Sequence, residues 1–208
     1  MIKNKFIVIE GLEGAGKTSA CIFIKKILKQ KNIKNILLVR QPGSTLISEE
    51  IRHLIKKNFY NEEMVKETEL LLMYAARVQL VQTIIVPALK NGIWVISDRH
   101  DLSSFAYQGG GLGIDKKFII ILKKFLFNNL DPDLTIYLDV LPEIGLKRVF
   151  KRNILDKIES RSLDFFYKTR KSYLKNIKLD NNSITINANM NIDSVNKNIK
   201  YQLLKWLQ

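Results

Sequence analysis

Cysteine is almost missing from this sequence: Cys21 stands alone among 208 residues. It falls in a helical pattern with no second thiol to pair with, and a reducing cytoplasm fits best. Long apolar runs are missing too. None approaches the roughly 20 consecutive apolar residues that a membrane span needs, so no membrane partner is expected. Met1-Ile2-Lys3-Asn4-Lys5 leads straight into a short apolar pattern, without the apolar h-region or small-residue cleavage site of a signal peptide. Internal repeats, low-complexity blocks and linkers are absent, which predicts a single domain over 1–208. Acidic residues are scarce, 20 against 34 Lys and Arg, giving a net charge of +14. Such a charge raises nucleic acid as a partner. The lysines are spread through every segment, however, and no basic tail gathers them. A bias toward Lys, Asn and Ile throughout accounts for part of the charge, and a field that draws in phosphorylated small molecules accounts for another part. No dedicated nucleic-acid binding is expected.

What is present is a globular composition, 46% hydrophobic and 26% charged, which separates the chain from disordered sequences. Phe6-Ile7-Val8-Ile9 is a continuous apolar run, the pattern of a strand buried on both faces. Further strands are predicted at Asn35–Arg40, Ile93–Ser97, Leu134–Leu138 and Ser183–Ile186. Helical periodicity fills the intervals: Lys17–Lys31, the stretch through Ile51, Leu54 and Ile55, Glu62–Leu89, Asp115–Asn128, a helix opened by Pro142, Ser162–Lys175 and Val195–Leu207. Pro87 is expected to bend or end the long third helix. Gly109-Gly110-Gly111-Leu112-Gly113 reads as a flexible loop. Alternating strands and helices predict an α/β fold, a five-stranded parallel sheet flanked by helices on both faces.

Gly11-Leu12-Glu13-Gly14-Ala15-Gly16-Lys17-Thr18 matches G-x-x-x-x-G-K-[ST] in full and lies between an apolar strand and a helix, as its mechanism requires. The glycines let backbone N–H groups converge on phosphate oxygens at a helix N-terminus. Lys17 reaches the β- and γ-phosphates and the Thr18 hydroxyl holds Mg²⁺. The pattern predicts a P-loop NTPase fold and the binding of ATP or GTP. Glu13 is either a solvated loop carboxylate or a group pointing into an acceptor site. Asp98-Arg99 follows the third strand, at the sheet edge where open α/β folds place ligands. Asp98 there can orient Mg²⁺ or its waters and Arg99 can grip phosphate oxygens; a turn with solvated charges is the other reading. The Asn/Thr-Lys-x-Asp element of switch GTPases is absent, and motors and helicases are usually larger. A compact chain with a basic segment after its fourth strand fits a small-molecule kinase that closes a lid over phosphates.

Six ordered phrases then carry a resemblance: Ile9–Thr18, Arg40-Gln41-Pro42-Gly43-Ser44-Thr45, Tyr74-Ala75-Ala76-Arg77, Asp98–Ser103, Ala106–Gly111 and Pro132–Asp139. Together they resemble thymidylate kinase over nearly the whole chain, with little added beyond about Asn176. The resemblance implies phosphoryl transfer from ATP·Mg²⁺ to dTMP. It implies that Glu13 meets the deoxyribose 3′-hydroxyl, that Arg77 bonds the thymine edge, and that Arg99, helped by Arg52, holds the acceptor phosphate. Tyr107 sits where the missing 2′-hydroxyl is sensed, and Ser103 and Gln108 line the same pocket. A homodimer built through helix packing is also implied.

The loop carries no arginine, so the chain is similar to the bacterial type whose lid, about residues 142–160, supplies the basic groups. Arg148 and Arg152 are its candidates; Lys147, Arg148, Lys151 and Arg152 can equally form a solvated helix face. Four positions depart from the pattern. Gln41 replaces the usual Glu, Ser44 the usual Gly, and Leu112 a common Arg. Met73 stands where a phenylalanine usually stacks on thymine; it can cover an aromatic face through sulfur and methyl contacts, or be plain helix core. His53 reads as a surface residue and His100 as a filler at the strand end. The Ile119–Leu126 stripe reads as core or dimer contact. Another nucleotide or deoxynucleoside kinase is the nearest alternative, and a non-catalytic P-loop module that binds nucleic acid is the more distant one.

The loop assignment predicts that Lys17→Ala loses at least about 10²-fold in turnover, the scale of removing one preorganised charge-stabilising group. Far-UV circular dichroism should be unchanged. Near-parental activity in that variant rules the assignment out.

Overall fold

The computed structural model describes residues 4–127, 130–151 and 155–208. Its centre is β1 (Phe6–Gly11), buried at every position, which explains a continuous rather than an alternating apolar run. β1 pairs in parallel with β3 (Trp94–Asp98) and with β4 (Leu134–Asp139). β2 (Ile36–Arg40) flanks β3, and β5 (Ser183–Asn187) flanks β4. The order β2-β3-β1-β4-β5 gives the five-stranded parallel sheet that the sequence predicts. It also places the carboxyl end of β1 between those of β3 and β4, the position at which open α/β sheets bind ligands.

Because side chains alternate along a strand, β1 serves two cores at once. Ile7 and Ile9 join a cluster with Ile24 and Leu28 of α1 (Lys17–Gln30), Phe166 and Tyr173 of α8 (Leu163–Ile177), and Ile199 of α9 (Ile192–Trp206). Phe6 and Val8 face the other way, onto Leu70, Tyr74 and Leu80 of α3 (Lys66–Leu80). Helices therefore cover both faces. α2 (Leu46–Lys56) packs on α3 and starts where Thr45 accepts a hydrogen bond from the Ser48 amide, a side-chain N-cap.

Two expectations are corrected here. Pro87 does not end its helix. A π-helical turn at Val81–Ile85 widens the spiral just before it, and α4 (Val86–Lys90) carries on with Pro87 in its first turn, where the missing N–H costs least. The resulting helix, Lys66–Lys90, is long and apolar enough to cross a bilayer by length and composition, although polar residues interrupt it. In the fold it covers the sheet, with Leu70, Tyr74, Leu80, Val81 and Ile85 buried.

Gly109–Gly113 is likewise no flexible loop. After the short α5 (Asp101–Ser104), Phe105–Gly111 forms a second π-helical turn pressed against α8. A Cβ on Gly110 would stand 2.4 Å from Ser172 Cβ, and one on Gly111 would stand 2.3 Å from the Phe165 ring. The glycines are there for close approach, and that approach fixes Tyr107 and Gln108 on the same turn. α6 (Lys116–Phe127) and α7 (Pro142–Phe150) complete the chain's helices among the described residues.

Gly110→Ala should cost about 1–3 kcal/mol, the usual penalty of overpacking. A thermal melt should read this as a fall of roughly 2–4 °C for each kcal/mol. An unchanged or raised Tm would mean that the contact is looser than described.

Candidate functional site

The loop from Gly11 to Thr18 leaves β1 and enters α1 through Gly16, whose φ of 91° is left-handed and open to glycine at little cost. Leu12 and Ala15 are buried, so both give the loop their backbone and keep their side chains in the core. Lys17 Nζ donates to Leu12 O at 2.8 Å, curling over the loop where phosphates would lie. Burial, then the neighbouring Arg99, lowers its pKa to about 8. An anion in the cradle would restore the full charge.

Gly14 is needed for a contact the sequence did not reveal. A Cβ at Gly14 would stand 2.1 Å from the carbonyl oxygen of Gly145, and a Cβ at Gly145 would stand 2.4 Å from the carbonyl oxygen of Glu13. The loop rests directly on α7. One turn further, Arg148 donates to Ala188 O at 2.8 Å and, at 3.2–3.3 Å, to the carbonyls of Gly14, Asn189 and Met190. Its guanidinium thus bridges the loop and the β5–α9 connection. Arg152, the second lid candidate, lies outside the described residues.

Beside the loop, one cleft is lined by Glu13, Lys17 and Thr18 and by Arg52, Met73, Arg77, Arg99, Ser103, Tyr107 and Gln108. Arg99 sits at its floor with φ 73°, a left-handed conformation that costs a non-glycine residue on the order of 1–3 kcal/mol. Five hydrogen bonds hold it there: to Gly11 O (2.8 Å), Glu13 Oε1 (2.7 Å), and the hydroxyls of Ser103 (3.2 Å), Tyr107 (3.1 Å) and Tyr173 (3.1 Å). The Tyr107 hydroxyl in turn donates to Glu13 Oε2. Glu13 therefore points into the cleft rather than into solvent.

Arg77 is almost wholly buried, 2% exposed. Its Nε donates to Gln41 Oε1 at 2.9 Å and its Nη1 to Ser104 Oγ at 2.9 Å, while the guanidinium lies over the Tyr74 ring. Since arginine only donates, Gln41 must turn its oxygen toward Arg77 and its amide toward Ser97 Oγ, 3.3 Å away. A usual Glu at this position would bring a second carboxylate near Asp101, whose Oδ1 is already 3.9 Å from Arg77. Met73, 8% exposed, lines the same wall. Gln108 Nε2 donates to Glu69 Oε1 at 2.9 Å, and Glu69 pairs with Arg161. Arg52 donates to Pro42 O at 2.9 Å. Burial, then Arg40, lowers its pKa, with Arg99 adding to the same effect against Glu49. Cations crowded this closely prepare a place for an anion.

Three groups beside the cleft were not singled out by sequence: Arg40, Gln41 as a partner of Arg77, and Ser104. Arg40-Gln41 lay inside a motif phrase without a role attached, and Ser104 had only its neighbour Ser103 as a signal. His100 is buried, with a pKa lowered to about 3 by burial and then by Arg77. Its ring packs against Phe6 and Phe127, with Nδ1 3.2 Å from Gln41 Oε1. His53 is exposed.

For a cation, Thr18 Oγ1 donates to Asp98 Oδ2 at 2.7 Å, which leaves the hydroxyl lone pairs free beside the phosphate cradle. Hard oxygen donors of this kind fit Mg²⁺. No cluster of three or more His, Cys, Asp or Glu capable of holding a metal occurs among the described residues. The two oxygens suit an ion that keeps its waters and is shared with phosphate.

The family model described as thymidylate kinase matches residues 9–199. The chain belongs to the thymidylate kinase family. It is 71% identical over 208 residues to the thymidylate kinase of Buchnera aphidicola subsp. Schizaphis graminum (strain Sg), covering 100% of this chain and 98% of that one. Identity is 69% to that of Buchnera aphidicola subsp. Acyrthosiphon pisum (strain APS), with the same coverage. It is 46% to that of Wigglesworthia glossinidia brevipalpis, covering 100% of this chain and 99% of the relative. Within the family fold, the loop and the arginine-lined cleft lie side by side, as a thymidylate kinase needs them.

The contact of the loop with α7 predicts that Gly145→Ala displaces the Glu13–Gly14 backbone. Affinity for a non-hydrolysable ATP analogue should fall about 10-fold or more in a calorimetric titration, on the order of one lost charge-assisted bond. Unchanged affinity would show that the loop does not depend on this seat.

Proposed function

We propose that the cleft receives ATP on the Gly11–Thr18 loop and dTMP against Arg77 and Arg99, and transfers the γ-phosphoryl group to give dTDP and ADP. The observation that carries this reading is one cleft lined both by the phosphate cradle and by the guanidinium groups of the buried Arg77 and the part-buried Arg99. Arg99, with Arg52, grips the acceptor phosphate; Arg77 reads the thymine edge; Met73 covers the ring. Glu13 takes the 3′-hydroxyl and Tyr107 packs where a 2′-hydroxyl would intrude. Ser103 and Gln108 complete the pocket.

Phosphoryl transfer asks the protein for positioning and charge neutralisation more than for covalent chemistry. The attacking phosphate oxygen is already ionised, so no general base is required. Lys17 follows the β- and γ-oxygens, and Arg99 spreads charge across the attacking side. Thr18 and Asp98 would hold Mg²⁺, which would supply charge neutralisation at the donor phosphates. Arg148, seated beside the loop, and Arg152 supply the positive charge of the 142–160 lid to the transferring group.

The homodimer belongs to the same proposal. Leu71 on α3 and Ile121 and Phe125 on α6 are 50%, 61% and 84% exposed, an apolar excess that a second copy of the chain would cover by helix packing. A reducing cytoplasm suits the lone buried thiol of Cys21.

A coupled ADP-release assay tests the reaction. ADP should appear rapidly with dTMP, and slowly with no acceptor, with thymidine or with the other mononucleotides. Release independent of acceptor, or faster with another acceptor, contradicts the proposal. Strongly salt-dependent oligonucleotide binding without acceptor-dependent turnover would favour the non-catalytic alternative.

A further inference from the structure

Glu10, the last side chain of β1 before the loop, is a fully buried carboxylate that the reaction as described leaves unused. Its Oε1 accepts from the His100 amide at 2.8 Å. Its Oε2 accepts from Ser103 Oγ at 2.6 Å and from the Tyr173 hydroxyl at 2.8 Å. The same two hydroxyls accept from Arg99 Nη1 on their other side. A guanidinium can only donate and a carboxylate can only accept. The two hydroxyls also lie 2.8 Å from each other, so at least one of them must turn its proton to Glu10, and both present lone pairs to Arg99. Replace the carboxylate by a group that donates, and that ordering is lost.

We propose that Glu10 is a positioning residue: through the Ser103 and Tyr173 hydroxyls it fixes the rotamer and aim of Arg99 toward the acceptor phosphate, without touching either substrate. The inference deepens the reading of Arg99 given above and rests on it. Three further observations fit. Arg99 holds a left-handed backbone that its surroundings must over-determine. The His100 amide, the next N–H in the chain, is tied to the same carboxylate. Burial, then Glu10, raises the Tyr173 pKa well above the usual phenol value, so the hydroxyl keeps the proton it donates.

The test compares Glu10→Gln, Tyr173→Phe and Arg99→Ala, each assayed for the KM of dTMP and of ATP and for Tm. Glu10→Gln should raise the dTMP KM about 10²-fold, the effect of misplacing a reacting or gripping group by about 1 Å. Tyr173→Phe should raise it about 10-fold, one hydrogen bond to a charged group. The ATP KM should stay within about 2-fold in both, because the Ser103 and Tyr173 hydroxyls reach the loop only through Arg99 and the cradle glycines keep their backbone. An acceptor-specific rise in either variant supports the inference, and Tyr173→Phe alone decides it if Glu10→Gln does not fold. A lower Tm with both KM values unchanged in the folded variants, while Arg99→Ala does weaken dTMP, overturns it and leaves the Arg99 reading intact. An unaffected dTMP KM in Arg99→Ala overturns both together.

Discussion

A guanidinium donates and never accepts, and that asymmetry organises the site. Arg99 sits at the floor of the cleft in a backbone conformation it would not choose. It stays there because a loop carbonyl, a carboxylate and three hydroxyls take its hydrogen bonds. Those acceptors come from β1, the phosphate loop, α5, the π-helical turn that follows it, and α8. Any shift in one of these elements would be felt at the arginine. The order of the sheet makes this convergence possible, since β1 ends between β3 and β4.

Precision of this kind needs close packing behind it, and the glycines supply it. Gly110 and Gly111 let the π-helical turn press onto α8, which brings Tyr107 and Tyr173 to the same arginine. Gly14 and Gly145 let the phosphate loop press onto α7. In both places a backbone approaches another element closer than a Cβ allows. Both contacts sit beneath the cleft, so the rigid parts of the fold and the working parts of the site are largely the same atoms.

Much of this was legible in the sequence because it is local. The apolar run of β1, the G-x-x-x-x-G-K-[ST] loop and the strand–helix alternation each declare themselves within a few residues. Arg77, Arg99 and Tyr107 came from motif phrases, and the fold brings them into one cleft. What stayed hidden depends on distant partners. Glu10 and Tyr173 lie 163 residues apart in sequence and share a hydrogen bond. Gly145 looked like any helix residue until its neighbour was known. The run of glycines after Gln108 suggested flexibility because glycine serves mobile loops and tight packing alike, and only the position of α8 tells them apart. Of the two outcomes expected at Pro87, ending the helix did not occur, because a π-turn lies just before it and the helix continues. The partners of Arg148, four backbone carbonyls of the loop and the β5–α9 connection, were equally out of reach of local pattern.

The account stands or falls on two phosphorylated ligands meeting in one cleft. The most direct measurement is a titration with a single molecule in which adenosine and thymidine are joined through a chain of five phosphates. The account predicts one such molecule bound per chain, displaced by ATP and also by dTMP. Displacement by ATP alone, with dTMP still able to bind beside it, would contradict the claim.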